Sequence, residues 1–260
     1  MPNISLASII AGVRADIRER SKKKPLDLLK KEVDSLAPPR DFRATLSVRA
    51  GLRVIAEIKR ASPSAGLLRP KLSPDILAQS YQKAGAAAIS VLTEKNYFHG
   101  SFADLESVRK SVSVPILQKD FILEPYQIYE ARARGVDAIL LIAALHNRRS
   151  MQELFSLALS LKLSALVEIH SEAELEDALS VGAEIIGINN RNLTTLQTNL
   201  DVSRRILPLM PKEKIAVVES GLKTKAEMQE LSRLGASAFL VGESLLRQGD
   251  PAVALASLLK

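Results

Sequence analysis

Short runs of apolar, often β-branched residues recur along the chain at intervals of roughly 20 to 35 residues, separated by Ala-, Leu-, Glu- and Arg-rich stretches with helical spacing. Eight such runs stand out: LRVIAEIKR ending near Arg60, AAAISVLTE near Glu94, VPILQKDF near Phe121, VDAILLIAA near Ala144, LSALVEI near Ile169, EIIGINN near Asn190, KIAVVES near Ser220 and SAFLVG near Gly242. Several are apolar almost throughout, the pattern of parallel strands covered on both faces. Four of the intervening segments end in a glycine placed as a helix C-cap, at Gly85, Gly135, Gly182 and Gly235. Eight strands alternating with helices predict an α/β fold, a (β/α)8 (TIM) barrel. An open doubly wound sheet has the same spacing, but the repeated helix-glycine-strand junctions favour the closed form.

About 50 residues precede the first run, and they carry a pattern of their own. SLASIIAGVRADIRERSKKK and PLDLLKKEVDSL place apolar residues at helical intervals, which predicts two helices broken at Pro25, the second ended by Pro38-Pro39. The expected organisation is one domain over 1–260, with a helical extension over 1–50 covering one mouth of a barrel over 51–260. A contribution of the extension to a substrate lid is the functional alternative to simple cover.

Composition narrows the classes. With 47% apolar and 25% charged residues the chain is in the globular range. It has no cysteine, so disulfides and thiolate metal sites are excluded, which suits a cytoplasmic location. The first residues do not resemble a secretory signal, and no run of about 18 apolar residues suggests a membrane span. The net charge of +7 invites a nucleic-acid reading. Against it, the basic residues are dispersed, aromatics are only 4% and no basic-aromatic module is present. An anionic small substrate accounts for part of the charge more economically. Neither a nucleotide fingerprint nor a metal motif appears, so no cofactor and no metal are expected. A monomer is the simplest expectation.

Barrel sites are built at the C-terminal ends of the strands. The first run ends in Glu57-Ile58-Lys59, the third in Gln118-Lys119-Asp120, the fifth in Glu168, the sixth in Asn189-Asn190-Arg191 and the seventh in Glu219-Ser220-Gly221. Strand alternation puts Glu57 and Lys59 on one face, and the cost of burying charge against apolar helices favours the inward one. Two lysines and three glutamates thus converge on one small volume, a setting that shifts pKa values and prepares groups for proton transfer. The bland reading is a set of salt bridges sealing the barrel top.

At the eighth run Gly242 follows the strand and Glu243-Ser244 begins a helix, a place where barrels bind phosphate on backbone amides. Ser220-Gly221 supplies the other half, which points to a phosphorylated small-molecule substrate. The loop Arg60-Ala61-Ser62-Pro63-Ser64-Ala65-Gly66 is an ordinary turn in the bland reading; in the functional one it brings Ser62 beside the phosphate and moves over the site. His99, His146 and His170 fall in or near predicted loops without metal-ligand spacing and are poor leads.

The stretches EIKRASPSAG (57–66), LTEKNYFHGS (92–101), ILQKDFI (116–122), YEARARGVDAILLI (129–142), EIH (168–170), IGINNRNL (186–193), ESGL (219–222) and FLVGESL (239–245) closely resemble those of the indole-3-glycerol phosphate synthases, in the family's order. The resemblance implies conversion of 1-(2-carboxyphenylamino)-1-deoxyribulose 5-phosphate to indole-3-glycerol phosphate with loss of carbon dioxide and water. It implies Lys119 as general acid at the ketone, and Lys59 as partner of the substrate carboxylate and a proton donor in dehydration. Glu168 is implied as base or electrostatic partner and Glu57 as orienting group or dehydration base, with Asn189, Arg191 and Glu219 orienting substrate and stabilising charge. The motif does not settle which Lys and Glu act in which step. Phosphate contacts fall to Ser62, Gly221, Gly242 and the backbone at Glu243; Phe98, Phe121 and Leu140 line the aryl pocket, closed by Pro63.

The chain departs from the family pattern at Gln118, at Val218 and in lacking tryptophan, so Gln118 is expected to bear on the pKa of Lys119 and an N-terminal aromatic contact is replaced or absent. A phosphoribosylanthranilate isomerase-like enzyme is the nearest alternative, but that family uses a cysteine this chain lacks. A Schiff-base aldolase on Lys59 or Lys119 and a non-catalytic phosphate-binding barrel complete the alternatives.

Overall fold

The computed structural model describes residues 5–48 and 51–260. The expected boundary between extension and barrel falls between residues 50 and 51, the first of which lies outside the described residues. Eight parallel strands close a barrel: β1 (Val54–Ile58), β2 (Ala88–Leu92), β3 (Ile116–Lys119), β4 (Ala138–Ile142), β5 (Ser164–Ile169), β6 (Ile185–Asn189), β7 (Ile215–Glu219) and β8 (Ala238–Val241). Each pairs with its sequence neighbours, and β1 pairs with both β2 and β8, so closure replaces the open-sheet alternative. All eight expected runs are strands.

Alternation sorts the side chains as a two-sided sheet requires. Val54, Ala56 and Ile58 of β1 join the apolar layer between barrel and helices, whereas Ile55 packs inside with Leu117, Leu140, Leu166, Val217 and Leu240. The next inward position beyond each of several of these is polar: Glu57, Lys119, Glu168 and Glu219. An apolar plug therefore lies beneath a charged layer at the C-terminal mouth.

The outer ring includes α4 (Pro74–Lys83), α5 (Phe102–Ser111), α6 (Pro125–Ala133), α7 (Arg148–Ser160), α8 (Glu172–Ser180), α9 (Asp201–Ile206), α10 (Lys225–Arg233), α11 (Glu243–Leu246) and α12 (Pro251–Leu259). The four glycines anticipated at helix ends have φ between 76° and 118°. At each, the glycine N–H bonds the carbonyl three residues back and the following N–H the carbonyl five back, as in Gly85 to Gln82 at 3.1 Å and Ala86 to Tyr81 at 3.0 Å. Helix α7 ends the same way on Lys162, a non-glycine at φ 62°.

The extension holds three helices, not the two expected: α1 (Leu6–Lys23), α2 (Leu26–Asp34) and α3 (Phe42–Ser47). The third follows Pro38-Pro39 and is capped by the Asp41 side chain on the Ala44 N–H; six residues are too few to show a period. The extension also reaches both ends of the barrel rather than one mouth. Leu6 and Ile9 of α1 line the cavity at the C-terminal end. Helices α1 and α2 then run along α6, where Arg20 pairs with Glu130 at 3.0 Å and Arg20 and Arg134 stack on the Phe102 ring. At the other end the Arg40 N–H bonds Asp137 at 2.7 Å, and Phe42 and Leu46, both fully buried, join the interior cluster below Ile185 and Ile215.

Candidate active site

A cavity of about 570 Å³ opens at the C-terminal ends of the strands, within the range of small-molecule sites. Every one of the sixteen residues singled out from the sequence lines it: Glu57, Lys59, Ser62, Pro63, Phe98, Lys119, Phe121, Leu140, Glu168, Asn189, Arg191, Glu219, Ser220, Gly221, Gly242 and Glu243.

The charged groups form two clusters. On β1, Lys59 Nζ lies 2.5 Å from Glu57 Oε1. Across the mouth, Lys119 Nζ donates to Glu219 Oε2 at 2.6 Å and to Glu168 Oε2 at 3.2 Å. Burial alone would lower the Lys119 pKa, but Glu219, Glu168 and Glu57 outweigh it and hold the ammonium well above the usual lysine range. Burial likewise works against ionised Glu168, yet Lys119, His170 and Asn189 pull its pKa well below the ordinary carboxylate value. Glu219 goes the other way: burial, reinforced by the neighbouring Glu168 and Glu57 charges, pushes it up to about 7 despite Lys119.

Two glycines give the carboxylates room. In-register pairing sets Gly187 beside Glu168, and a Cβ built on Gly187 would fall on Glu219 Oε1. A Cβ on Gly242 would fall on the Glu57 carboxylate. Gly242 thus has a steric duty toward an acid in addition to the phosphate role expected of it.

The apolar wall is built by hydrogen-bonded loops. The buried Glu94 carboxylate accepts from the N–H groups of Asn96, Tyr97 and Phe98 at 2.8, 2.8 and 3.0 Å, folding the loop that presents Phe98. Buried Asp120 accepts from Phe121 N–H at 2.8 Å and from the Thr93 hydroxyl, fixing the turn after Lys119. The Phe98 and Phe121 rings lie 6.1 Å apart and tilted by 47°, with Leu140, Ile142, Leu6 and Ile9 completing the wall. Leu6 and Ile9 stand where the extension meets the site; a helix-periodic apolar pair gives no sign of this in the sequence.

At the opposite end Ser220 and Gly221 take φ of 63° and 81° in succession, and strain in a non-glycine such as Ser220 is a mark of functional backbone. Asn190 holds that turn, donating to the Glu219 and Ser220 carbonyls at 2.9 and 3.2 Å while its own carbonyl accepts from Ser203. The Glu243 side chain is engaged by Arg191 and Arg247, so its backbone amide is the group left to meet an anion. The first loop is not a plain turn: Ala61–Ser62 and Gly66–Leu67 pair as a small hairpin, clamped by Arg60 on Asp104 and by Arg69 on the carbonyls of Leu246 and Gly249.

Two readings change. Gln118 alternates away from the cavity and donates to Thr93 at 3.2 Å, so it does not act on Lys119. His170, set aside with the other histidines, lies 3.4 Å from Glu168. His146 binds the Ile122 carbonyl and His99 takes a left-handed φ of 52° in the loop after Phe98, both consistent with structural duties. Among the described residues no group of three His, Cys, Asp or Glu side chains is arranged to hold a metal, and no helix is long and apolar enough to cross a membrane.

The model of one family, indole-3-glycerol phosphate synthase, matches residues 6–258. The chain belongs to the indole-3-glycerol phosphate synthase family. A relative of that name from Polaromonas naphthalenivorans is 46% identical over 256 residues, 97% of either chain. Another from Mycolicibacterium smegmatis is 47% identical over 253 residues, covering 97% of this chain and 93% of the relative. Among solved structures, a thiamine phosphate pyrophosphorylase from Pyrococcus furiosus superposes with a TM-score of 0.59 at 16% identity, over 80% of this chain and 93% of that one. At that identity the likeness is one of fold.

Proposed function

We propose that the chain performs the family's reaction, closing the indole ring of 1-(2-carboxyphenylamino)-1-deoxyribulose 5-phosphate with loss of carbon dioxide and water, at the cavity described above. The observation that carries this is Lys119, held between Glu168 and Glu219 at the floor of a cavity with an apolar wall on one side and amide-rich turns on the other.

The Lys119 ammonium donates its proton to the ketone oxygen while the aryl carbon bearing the carboxylate bonds to the carbonyl carbon. Leaving carbon dioxide returns its electron pair to the ring. The new hydroxyl then departs as water, taking a proton from an acid, and a base removes the proton whose loss completes the indole. Lys59, paired with Glu57 apart from the Lys119 cluster, meets the substrate carboxylate and serves the dehydration. Glu168 is the base of the later steps. Asn189, Arg191 and Glu219 orient the substrate, while Phe98, Phe121, Leu140 and Pro63 enclose its ring. Ser62, Ser220, Gly221, Gly242 and the Glu243 amide receive the phosphate.

A Schiff-base route fits less well, because it needs a neutral amine and the carboxylates around Lys119 favour the ammonium. The proposal extends to a monomeric cytoplasmic enzyme, and light scattering checks the first of these. The deciding experiment follows indole-3-glycerol phosphate formation from the carboxyphenylamino substrate without added metal, with Lys119→Ala alongside. Turnover by the parent and its collapse in the variant support the reaction and the acid; a folded parent that yields no product overturns the reading.

A further inference from the structure

His170 follows the last residue of β5 and lies behind Glu168 rather than on the cavity wall. Its ring stands between two carboxylates, with Nε2 3.4 Å from Glu168 Oε1 and Nδ1 3.2 Å from Glu174 Oε2. The Glu174 position is fixed, since the same oxygen accepts the His170 backbone N–H at 2.7 Å. Glu168 in turn gives its other oxygen to Lys119, which reaches Glu219. The result is a continuous run of alternating charges: Glu174, His170, Glu168, Lys119, Glu219. It leads from a side chain one quarter exposed to the floor of the cavity.

We propose that His170 is a positioning residue, an imidazolium that grips Glu168 from the side opposite Lys119 and couples that carboxylate through Glu174 to solvent. Carboxylates only accept, so presenting an N–H toward each of them requires the protonated ring: Nδ1 hydrogen-bonds Glu174, and Nε2 approaches Glu168 as an ion pair without an aligned hydrogen bond. The charges facing the ring are Glu174 from α8 and Glu168 from its own strand, with Lys119 of β3 and Glu219 of β7 beyond. Burial opposes the ring's charge, and the two glutamates overcome it, raising its pKa to about 9. The spacing in the sequence carries part of the signal: His170 is two residues past Glu168 at the strand's end, and His170 and Glu174 are four apart across a helix start.

This inference rests on Glu168 being the base of the later steps, and two measurements separate the two claims. The chain has three histidines, so NMR titration assigned with His170→Asn reads the ring directly, without turnover. A titration near 9 that falls by about one unit or more in Glu174→Gln and in Glu168→Gln supports the charge run; a ring titrating at the ordinary histidine value overturns it. The pH profile of kcat/KM is then compared among the parent, His170→Asn and His170→Gln. Loss of the cation moves the acidic limb upward by about one pH unit in His170→Asn, with a smaller move in His170→Gln, whose longer side chain carries its amide donor toward the Nε2 position beside Glu168. A folded His170→Asn enzyme with an unmoved limb overturns the positioning role, whatever its plateau. Full activity in Glu168→Gln would instead remove the base assignment while leaving the titration result standing.

Discussion

Replacing Gly187 with alanine puts a methyl group where the Glu219 carboxylate now sits. The position is extended strand, not left-handed backbone, so the residue change itself brings no conformational penalty; the effect comes from overlap with Glu219 Oε1 and a tight approach to Leu166. Overpacking a closed interior costs about 1–3 kcal/mol. The mobile party is the Glu219 side chain, which can retreat only by loosening its 2.6 Å bond from Lys119. Charge-assisted bonds of that kind are worth about 1.5–3 kcal/mol, so kcat/KM falls by about 10- to 100-fold. The assay pairs turnover with thermal unfolding in Gly187→Ala, Glu219→Asp and the double variant. Shortening the acid relieves the overlap, so alanine at 187 costs much less stability in the Glu219→Asp background, a non-additivity expected of touching residues. Strictly additive unfolding energies, or near-parental turnover by Gly187→Ala, would refute the steric argument.

Lys162→Gly relieves an exposed left-handed lysine at the end of α7 and stabilises by about 1 kcal/mol, read as a Tm higher by about 2–4 °C with unchanged kcat. Phe42→Ala opens the floor of the barrel far from the reacting groups, lowering stability by about 3–5 kcal/mol in denaturant titration while kcat of the folded enzyme at 25 °C stays within about twofold; a large loss of kcat would join the floor to catalysis. Glu219, raised from 4.5 to about 7, binds a proton more tightly folded than unfolded. Its contribution is therefore present at low pH and lost as pH rises from 4.5 through about 7. The Tm of Glu219→Gln relative to the parent should thus climb across that window and level off above it.

The barrel was legible because several strands are apolar almost throughout and each of four helices stops at a glycine whose αL conformation the backbone needs. The site was legible because charge at a strand end has only one place to go that does not bury it among apolar helices. What escaped the reading was set by distance in sequence. Glu94 reads as one more loop acid until its carboxylate is seen to collect three amides, and Asn190 looks like a neighbour of Asn189 until it bridges β6 to the turn after β7. Gln118 does not bear on Lys119 because strand alternation puts a residue one position away on the opposite face, where it bonds Thr93. The short helix α3 depends on burial of Phe42 and Leu46 in a floor that no local pattern reveals.

The division between the two acids that share Lys119 follows from counting neighbours. One ammonium cannot neutralise both Glu168 and Glu219 in a buried setting, so one of the two must give up its charge near neutral pH. Glu168 has additional help from the His170 ring and the Asn189 amide, and its pKa goes down. Glu219 has only Lys119 and one oxygen without any partner, and its pKa goes up. Two carboxyls driven apart in this way are suited to different work: the first stays ionised to accept a proton, and the second holds or yields one as Lys119 changes charge. In the proposed reaction Lys119 becomes neutral when it gives its proton to the ketone, and Glu219 then loses the cation that favoured its own ionised form. Glu219 Oε2, which accepts from Lys119 Nζ at 2.6 Å in the resting site, is then the nearest carboxyl oxygen to the amine that has to regain a proton. The resting site therefore has to be read as a set of coupled groups, in which Gly187 gives the second acid its space and His170 keeps the first one charged.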